Sequence, residues 1–260
     1  MVRRARLDAE LVRRGLARSR EQAAELVQAG RVRVAGATAT KPATAVEPDT
    51  PVLVEDRSDD PGYASRGGHK LAGVLDALPV PVEGRRVLDA GASTGGFTDV
   101  LLRRGAREVV AVDVGYGQLA WNLRTDARVT VHDRTNVREL TPEQIGGPVE
   151  LTVADLSFIP LTLVLPALAA CTTEDLLPMV KPQFEVGREL VGAKGVVRDP
   201  ELRGEAIRKV ADRAYELGLG TRGMARSPLP GPAGNIEFFL WLRRDAPPAD
   251  PADIAKVVAP

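Results

Sequence analysis

A series of short apolar runs, each ending in or running closely into a charged residue, constrains this chain more than any other feature. Arg86-Val87-Leu88 ends in Asp89, Val109–Val112 in Asp113, Val149–Val153 leads to Asp155, and Leu176–Val180 ends in Lys181. Helical stretches separate them: Thr98–Arg104 before Gly105, Leu161–Ala170, and Leu202–Leu217 before Gly218. A last apolar strand is expected over Glu237–Leu242. Runs apolar on both faces belong in the middle of a sheet covered on both sides. Their alternation with helices predicts βαβ units and an α/β fold built on a parallel sheet. In such folds ligands bind at the carboxyl ends of the strands, where these charged residues fall.

The first strand runs directly into a glycine-rich turn, Asp89-Ala90-Gly91-Ala92-Ser93-Thr94-Gly95-Gly96-Phe97. Glycine there permits close approach of backbone to a ligand. Asp113, at the end of the next strand, is placed to grip a ribose diol. Dinucleotides and S-adenosylmethionine both fit that pattern. A dinucleotide sets its pyrophosphate at the helix start, where Asp89 would repel it, and the Gly-x-Gly-x-x-Gly spacing is absent. The cationic methyl donor tolerates Asp89, so the residues favour it. Asp89, Ala90, Gly91, Ser93, Thr94, Gly95, Gly96, Phe97 and Asp113 form the expected cofactor site.

Four further charges stand where such a sheet tolerates none unless they work: Lys70, Asp155, Lys181 and Glu237. Glu237 lies among Ile236, Phe238, Phe239, Leu240 and Trp241, and a buried charge is costly unless paired. Only six lysines stand against 29 arginines, so Lys70 and Lys181 suggest a need for a compact amine.

The zero net charge hides an uneven distribution. Residues 1–41 carry ten bases against four acids, and residues 42–62 one base against six acids. Such a basic block suits a nucleic acid or another anionic surface. Its stripes Leu7, Leu11, Val12 and Ala23, Leu26, Val27 predict two short helices, the second capped by Ser19 with Gln22 three residues on. Short strands around Val32, Val34, Val46 and Val52–Val54 follow. Arg3, Arg4, Arg6, Arg14, Arg18 and Arg20 are the candidate RNA contacts. The single cysteine, Cys171, excludes an internal disulfide, and no Cys/His set for a metal is evident. The longest nearly apolar stretch, Phe158 to Cys171, is 14 residues, short of the roughly 20 a membrane span needs. No apolar run follows the basic start, so no secretory signal and a cytoplasmic location are expected.

Arg6-Leu7-Asp8-x-x-Leu11-Val12-x-x-Gly15-Leu16-Ala17-x-Ser19-Arg20, continuing to Gly36, resembles the S4 domain of ribosomal and rRNA-modifying proteins. Lys70, Asp155, Lys181 and Glu237, in that order, resemble the tetrad of FtsJ/RrmJ-type ribose 2′-O-methyltransferases. The segments 89–98, 113–119, 154–159, 180–185 and 230–238 make the whole chain similar to the TlyA (haemolysin A) family. The linker departs from the family's Arg-x-Trp-Val, reading Pro61-Gly62-Tyr63-Ala64. The resemblance implies an S4-like RNA-binding domain over 1–60 and an FtsJ-like domain over 66–244, while composition gives a polar, turn-rich linker over 61–65 and a flexible, Pro/Ala/Asp-rich tail over 245–260. It implies a small α+β module ahead of a Rossmann-like, S-adenosylmethionine-dependent methyltransferase sheet with helices on both faces. The implied reaction is 2′-O-methylation of cytidine in 16S and/or 23S rRNA, with the tetrad orienting and activating the hydroxyl. The implied partners are rRNA and ribosomal subunits, with no membrane and no obligate protein partner. Two other classes are weighed against it. A membrane-active haemolysin would need an apolar amphipath that the chain lacks. A nicotinamide-dependent oxidoreductase with an RNA-binding appendage would need the missing dinucleotide spacing.

Overall fold

A computed structural model describes residues 4–17, 19–55, 61–187, 190–192 and 195–259. The chain divides into two compact units, Met1–Gly62 and Tyr63–Pro260.

In the first unit, β1 (Ala5–Arg6) leads into α1 (Leu7–Arg13), followed by α2 (Arg20–Gln28). The strands β2 (Val32–Val34), β3 (Ala37–Thr38), β4 (Ala45–Val46) and β5 (Val52–Val54) come next. They pair antiparallel as β3-β2-β5 and as β1-β4. Ser19 caps α2 as expected, its hydroxyl accepting from the Gln22 amide at 3.1 Å. The stripes anticipated from spacing meet in one core of Leu7, Leu11, Ala23, Val27, Val32 and Val46.

The second unit is built on a seven-stranded sheet. Its strands are β6 (Arg86–Ala90), β7 (Glu108–Val112), β8 (Val129–His132), β9 (Val149–Ala154), β10 (Thr172–Val180), β11 (Leu219–Arg226) and β12 (Phe238–Arg244). The spatial order is β11-β12-β10-β9-β6-β7-β8. β8, β7, β6, β9 and β10 pair in parallel, whereas β12 runs antiparallel to both its neighbours. One face packs on α6 (Leu161–Cys171), α8 (Pro200–Glu216) and α9 (Pro251–Val258). The other packs on α3 (Arg66–Ala77), α4 (Gly96–Arg103) and α5 (Trp121–Arg124). A short α7 (Pro182–Glu185) follows β10. Each strand residue faces one layer or the other, so the apolar runs needed no polar face.

Three expectations change. The loose tail contains α9: Asp250 caps it, Pro251 opens it, and Ile254 and Val258 bury themselves in the core. β11 was not anticipated, because Gly220 and Gly223 interrupt its apolar pattern at the sheet edge. The last strand begins at Phe238, one residue after Glu237.

Candidate active site and RNA-facing surface

The strand order reverses between β6 and β9, which opens a crevice at their carboxyl ends. The Asp155 amide donates to the Ala90 carbonyl at 3.0 Å, which fixes the two strand ends against each other. A Cβ on Gly91 would lie 2.5 Å from the Asp155 carbonyl, and its φ is +87°, so only glycine fits there. Gly95 caps α4 at φ +96°. Ser93 also takes a positive φ, +47°, and its amide donates to Asp113 Oδ2 at 2.8 Å. Gly115 donates to Asp113 Oδ1 at 2.7 Å. Asp113 is therefore oriented by two amides at the rim of the turn. The Thr94 carbonyl accepts from the Ala120 amide at 3.2 Å, which ties the turn to the segment ahead of α5.

Asp89 is fully buried. Its Oδ2 accepts from the Thr98 hydroxyl at 2.6 Å, while Oδ1 has no partner among the described residues. Burial first, then the charges of Asp155 and Asp113, push its carboxyl up to about 7, against the opposing Thr98 bond. Asp89 and Asp113 place two carboxylates beside the tight glycine turn, and Asp89 Oδ1 is a buried acceptor without a partner among the described residues. These residues fit S-adenosylmethionine, whose ammonium and sulfonium groups are positive, and they do not suit pyrophosphate. Phe97 departs from the expectation: its ring packs 6.0 Å from Phe239 in the core, so it supports the turn from behind.

The four charged residues form two pairs. Lys181 Nζ lies 2.6 Å from Asp155 Oδ1 and 2.9 Å from the Ser157 hydroxyl. Lys70 Nζ donates to Glu237 Oε2 at 2.5 Å, and both side chains are buried. Sheet register explains their proximity. Pro178 of β10 sits opposite Ala154 of β9, and Val180 sits opposite Phe238 of β12. Asp155, Lys181 and Glu237 each flank these pairs, so they share one edge of the sheet. Lys70 reaches that edge from α3, which lies close to α4: a Cβ on Gly68 would meet the Tyr63 side chain at 2.5 Å and the Gly96 carbonyl at 3.1 Å.

Some site features escaped the sequence reading. Ser157 was not separated from Asp155. Asp133 follows β8 as Asp113 follows β7, and accepts from the Gly117 amide at 3.2 Å and from Arg124 at 2.9 Å. Burial raises its carboxyl, but Arg124 and the Gly117 amide outweigh it and hold the group below the usual range. Its position after Val129–His132 was the available signal. Phe158 is 91% exposed with φ +66°, and its ring lies 5.4 Å from that of Phe184.

On the first unit, Arg4 pairs with Glu47 at 3.1 Å, and Arg6 and Arg20 both bind Asp8, at 2.8 and 3.2 Å. The Arg6 hydrogen bond, helped by Arg20 and opposed by burial, holds Asp8 down at about 2. One acid thus orients two largely exposed guanidiniums and neutralises only one charge. Arg14 is corrected. Its nitrogens bond Glu10 at 2.6 Å and the carbonyls of Thr50 and Pro48 at 2.7 Å, so it fastens α1 to the 47–50 turn. Arg3 and Arg18 lie outside the described residues.

The FtsJ-like methyltransferase family model matches residues 63–244, and the S4 domain model matches residues 5–52. The 16S/23S rRNA (cytidine-2′-O)-methyltransferase TlyA of Mycobacterium tuberculosis is 63% identical over 94% of this chain and 91% of its own length. Hemolysin A of Brachyspira hyodysenteriae is 34% identical over 90% of this chain and 98% of its own. A solved structure from Streptococcus thermophilus, given a provisional hemolysin name, superposes with a TM-score of 0.79 at 38% identity. It covers 99% of this chain and 95% of that one.

Proposed function

Because the chain belongs to the FtsJ-like methyltransferases and, among them, to the TlyA family, we propose that it methylates the 2′-hydroxyl of cytidine in rRNA. The observation that carries this reading is the Lys181–Asp155 pair, 2.6 Å apart, on the same sheet edge as the glycine turn. When bound, S-adenosylmethionine supplies a sulfonium-activated methyl group. Asp89 and Asp113 hold its cationic and ribose portions, and Gly91, Gly95 and Gly96 let it approach the backbone.

A ribose hydroxyl is a weak nucleophile, so it must be aligned and relieved of its proton as it attacks. Lys181 donates toward Asp155 and Ser157, which leaves a third N–H to orient the 2′-oxygen. While Lys181 orients the 2′-oxygen, the Asp155 carboxylate beside it would take up the hydroxyl proton as the methyl group passes to that oxygen. Lys70 and Glu237 neutralise each other and keep the neighbouring sheet edge in place. The exposed Phe158 beside Phe184 offers a face on which a displaced base stacks. The S4 unit supplies sequence-independent backbone contact through Arg4, Arg6 and Arg20, with one or both of 16S and 23S rRNA as the substrate.

Lys181→Met in the full chain tests the assignment. Methyl transfer to rRNA is expected to fall by about a thousandfold, the scale of a lost acid–base group. S-adenosylmethionine affinity is expected to stay within about threefold, since Lys181 is not in the glycine turn. Undiminished transfer in a folded variant would remove Lys181 from the chemistry. Among the described residues no helix is long and apolar enough to cross a membrane.

A further inference from the structure

Asp155 and Lys181 sit on two separate segments, residues 155–161 ahead of α6 and residues 181–186 around α7. Three contacts join the segments near the chemistry: Lys181 with Asp155, Lys181 with Ser157, and Phe184 with Phe158. The fourth lies at the far end. Glu185 is buried, and its Oε1 accepts from the Leu161 amide at 2.6 Å. Leu161 is the first residue of α6, and the preceding Pro160 has no polar side chain to cap it. The acceptor that this helix start requires therefore comes from the other segment. Glu185 is anchored in turn, because Lys209 of α8 donates to its carbonyl at 2.8 Å.

The side chain is more than a generic cap. Its second oxygen has no partner among the described residues, and burial raises the carboxyl to about 7 despite the Leu161 bond. A buried, half-satisfied acid is costly where any small polar cap would serve. The 155–161 segment also holds Phe158 at a positive φ, a conformation that persists only when both ends are fixed. Its near end is fixed by the bond from the Asp155 amide to Ala90, its far end by Glu185.

We propose that Glu185 is a positioning residue for methyl transfer: by holding the Leu161 amide it fixes the 155–161 segment so that Asp155 and Ser157 stay within reach of Lys181. The assignment rests on the methyl-transfer reading and adds a residue that touches neither donor nor ribose.

The test uses the full chain with rRNA and S-adenosylmethionine, comparing Glu185→Leu, Glu185→Gln, Leu161→Pro and the double variant Glu185→Leu/Leu161→Pro. Glu185→Leu should lower kcat by about tenfold or more while KM for S-adenosylmethionine moves less than about twofold. Glu185→Gln keeps a carbonyl acceptor for Leu161 and should restore kcat to within about threefold of the natural chain. Leu161→Pro removes the N–H at a helix position that accepts proline, so it should lower kcat similarly. The double variant should be no worse than the poorer single one, because both remove the same bond.

A natural-like kcat in Glu185→Leu would overturn the assignment. So would a loss confined to KM for S-adenosylmethionine, a Gln variant as poor as Leu, or multiplicative losses in the double variant. If Glu185→Leu does not fold, Leu161→Pro and Glu185→Gln decide alone. A readout independent of activity separates this from failure of the methyl-transfer reading: the Nζ resonance of Lys181, one of only six lysines. It should shift in Glu185→Leu and return in Glu185→Gln even if the natural chain transfers no methyl group. An unmoved resonance would refute the positioning role.

Discussion

Lys70→Met is expected to destabilise the Tyr63–Pro260 unit severely. Lys70 and Glu237 retain only 8% and 2% of their side-chain exposure, and they meet at 2.5 Å. Gly231 presses on the carboxylate so closely that a Cβ there would lie 2.6 Å from Oε1. Removing one partner from such a buried pair costs about 3–5 kcal/mol, most of it the penalty of the charge left behind. In a domain of this size each kcal/mol moves the melting temperature by about 2–4 °C, so the transition should fall on the order of 10 °C. The comparison with the second pair sharpens the expectation. Asp155 keeps 25% exposure, so water compensates it and Lys181→Met should cost only about 1 kcal/mol. Removing both charges in Lys70→Met/Glu237→Leu should recover most of the lost stability, because no buried ion remains. Thermal unfolding followed by tryptophan fluorescence reports this unit specifically, since Trp121 and Trp241 both lie within it. A Lys70→Met protein melting within about 2 °C of the natural chain would refute the burial argument. So would a double variant no more stable than the single one.

Two further outcomes depend on pH. The Asp89 carboxyl is raised to about 7, so near neutrality it is partly protonated, whereas a cationic donor prefers it ionised. S-adenosylmethionine affinity should therefore rise with pH up to about 7, by at most about tenfold per unit, and binding should release a proton. Calorimetry in buffers of different ionisation enthalpy checks this, and a flat affinity from about pH 6 to about pH 8 would contradict it. In the first unit the signs reverse. Hydrogen bonds from Arg6 to Asp8 and from Arg13 and then Arg14 to Glu10 hold both acids at about 2. Their contribution is present above the ordinary carboxylate range and is lost as pH falls toward about 2. Hydrogen-exchange protection of residues 7–13, corrected for intrinsic rates, should fall over that interval, and constant protection would argue against it.

Much of this architecture is written locally. The strands β6, β7, β9 and β10 announce themselves as apolar runs because both faces are covered, and the acids and lysine that end them mark the ligand edge. Ser19 with Gln22 marks a helix start through bonds made within one turn. What stayed hidden depends on distant partners. Arg14 resembles any exposed arginine until its bonds to the 47–50 turn are seen. Phe97 lies in the ligand turn by sequence, yet Phe239, far along the chain, receives its ring. Glu185 becomes meaningful only because α6, on a separate segment of the chain, begins with an amide that has no local cap. The Pro251–Val258 helix is short and proline-led, and its stability comes from Ile254 and Val258 packing into the core.

Mapping ribose methylation on rRNA by mass spectrometry, after incubation with S-adenosylmethionine and either the natural chain or Lys181→Met, tests the central claim most directly. The proposed function predicts a new methyl group on a cytidine 2′-oxygen with the natural chain and none with the variant, although the variant still binds the donor. A methyl group on a base, or an unchanged ribose signal in the variant, would contradict a hydroxyl activated by the Lys181–Asp155 pair.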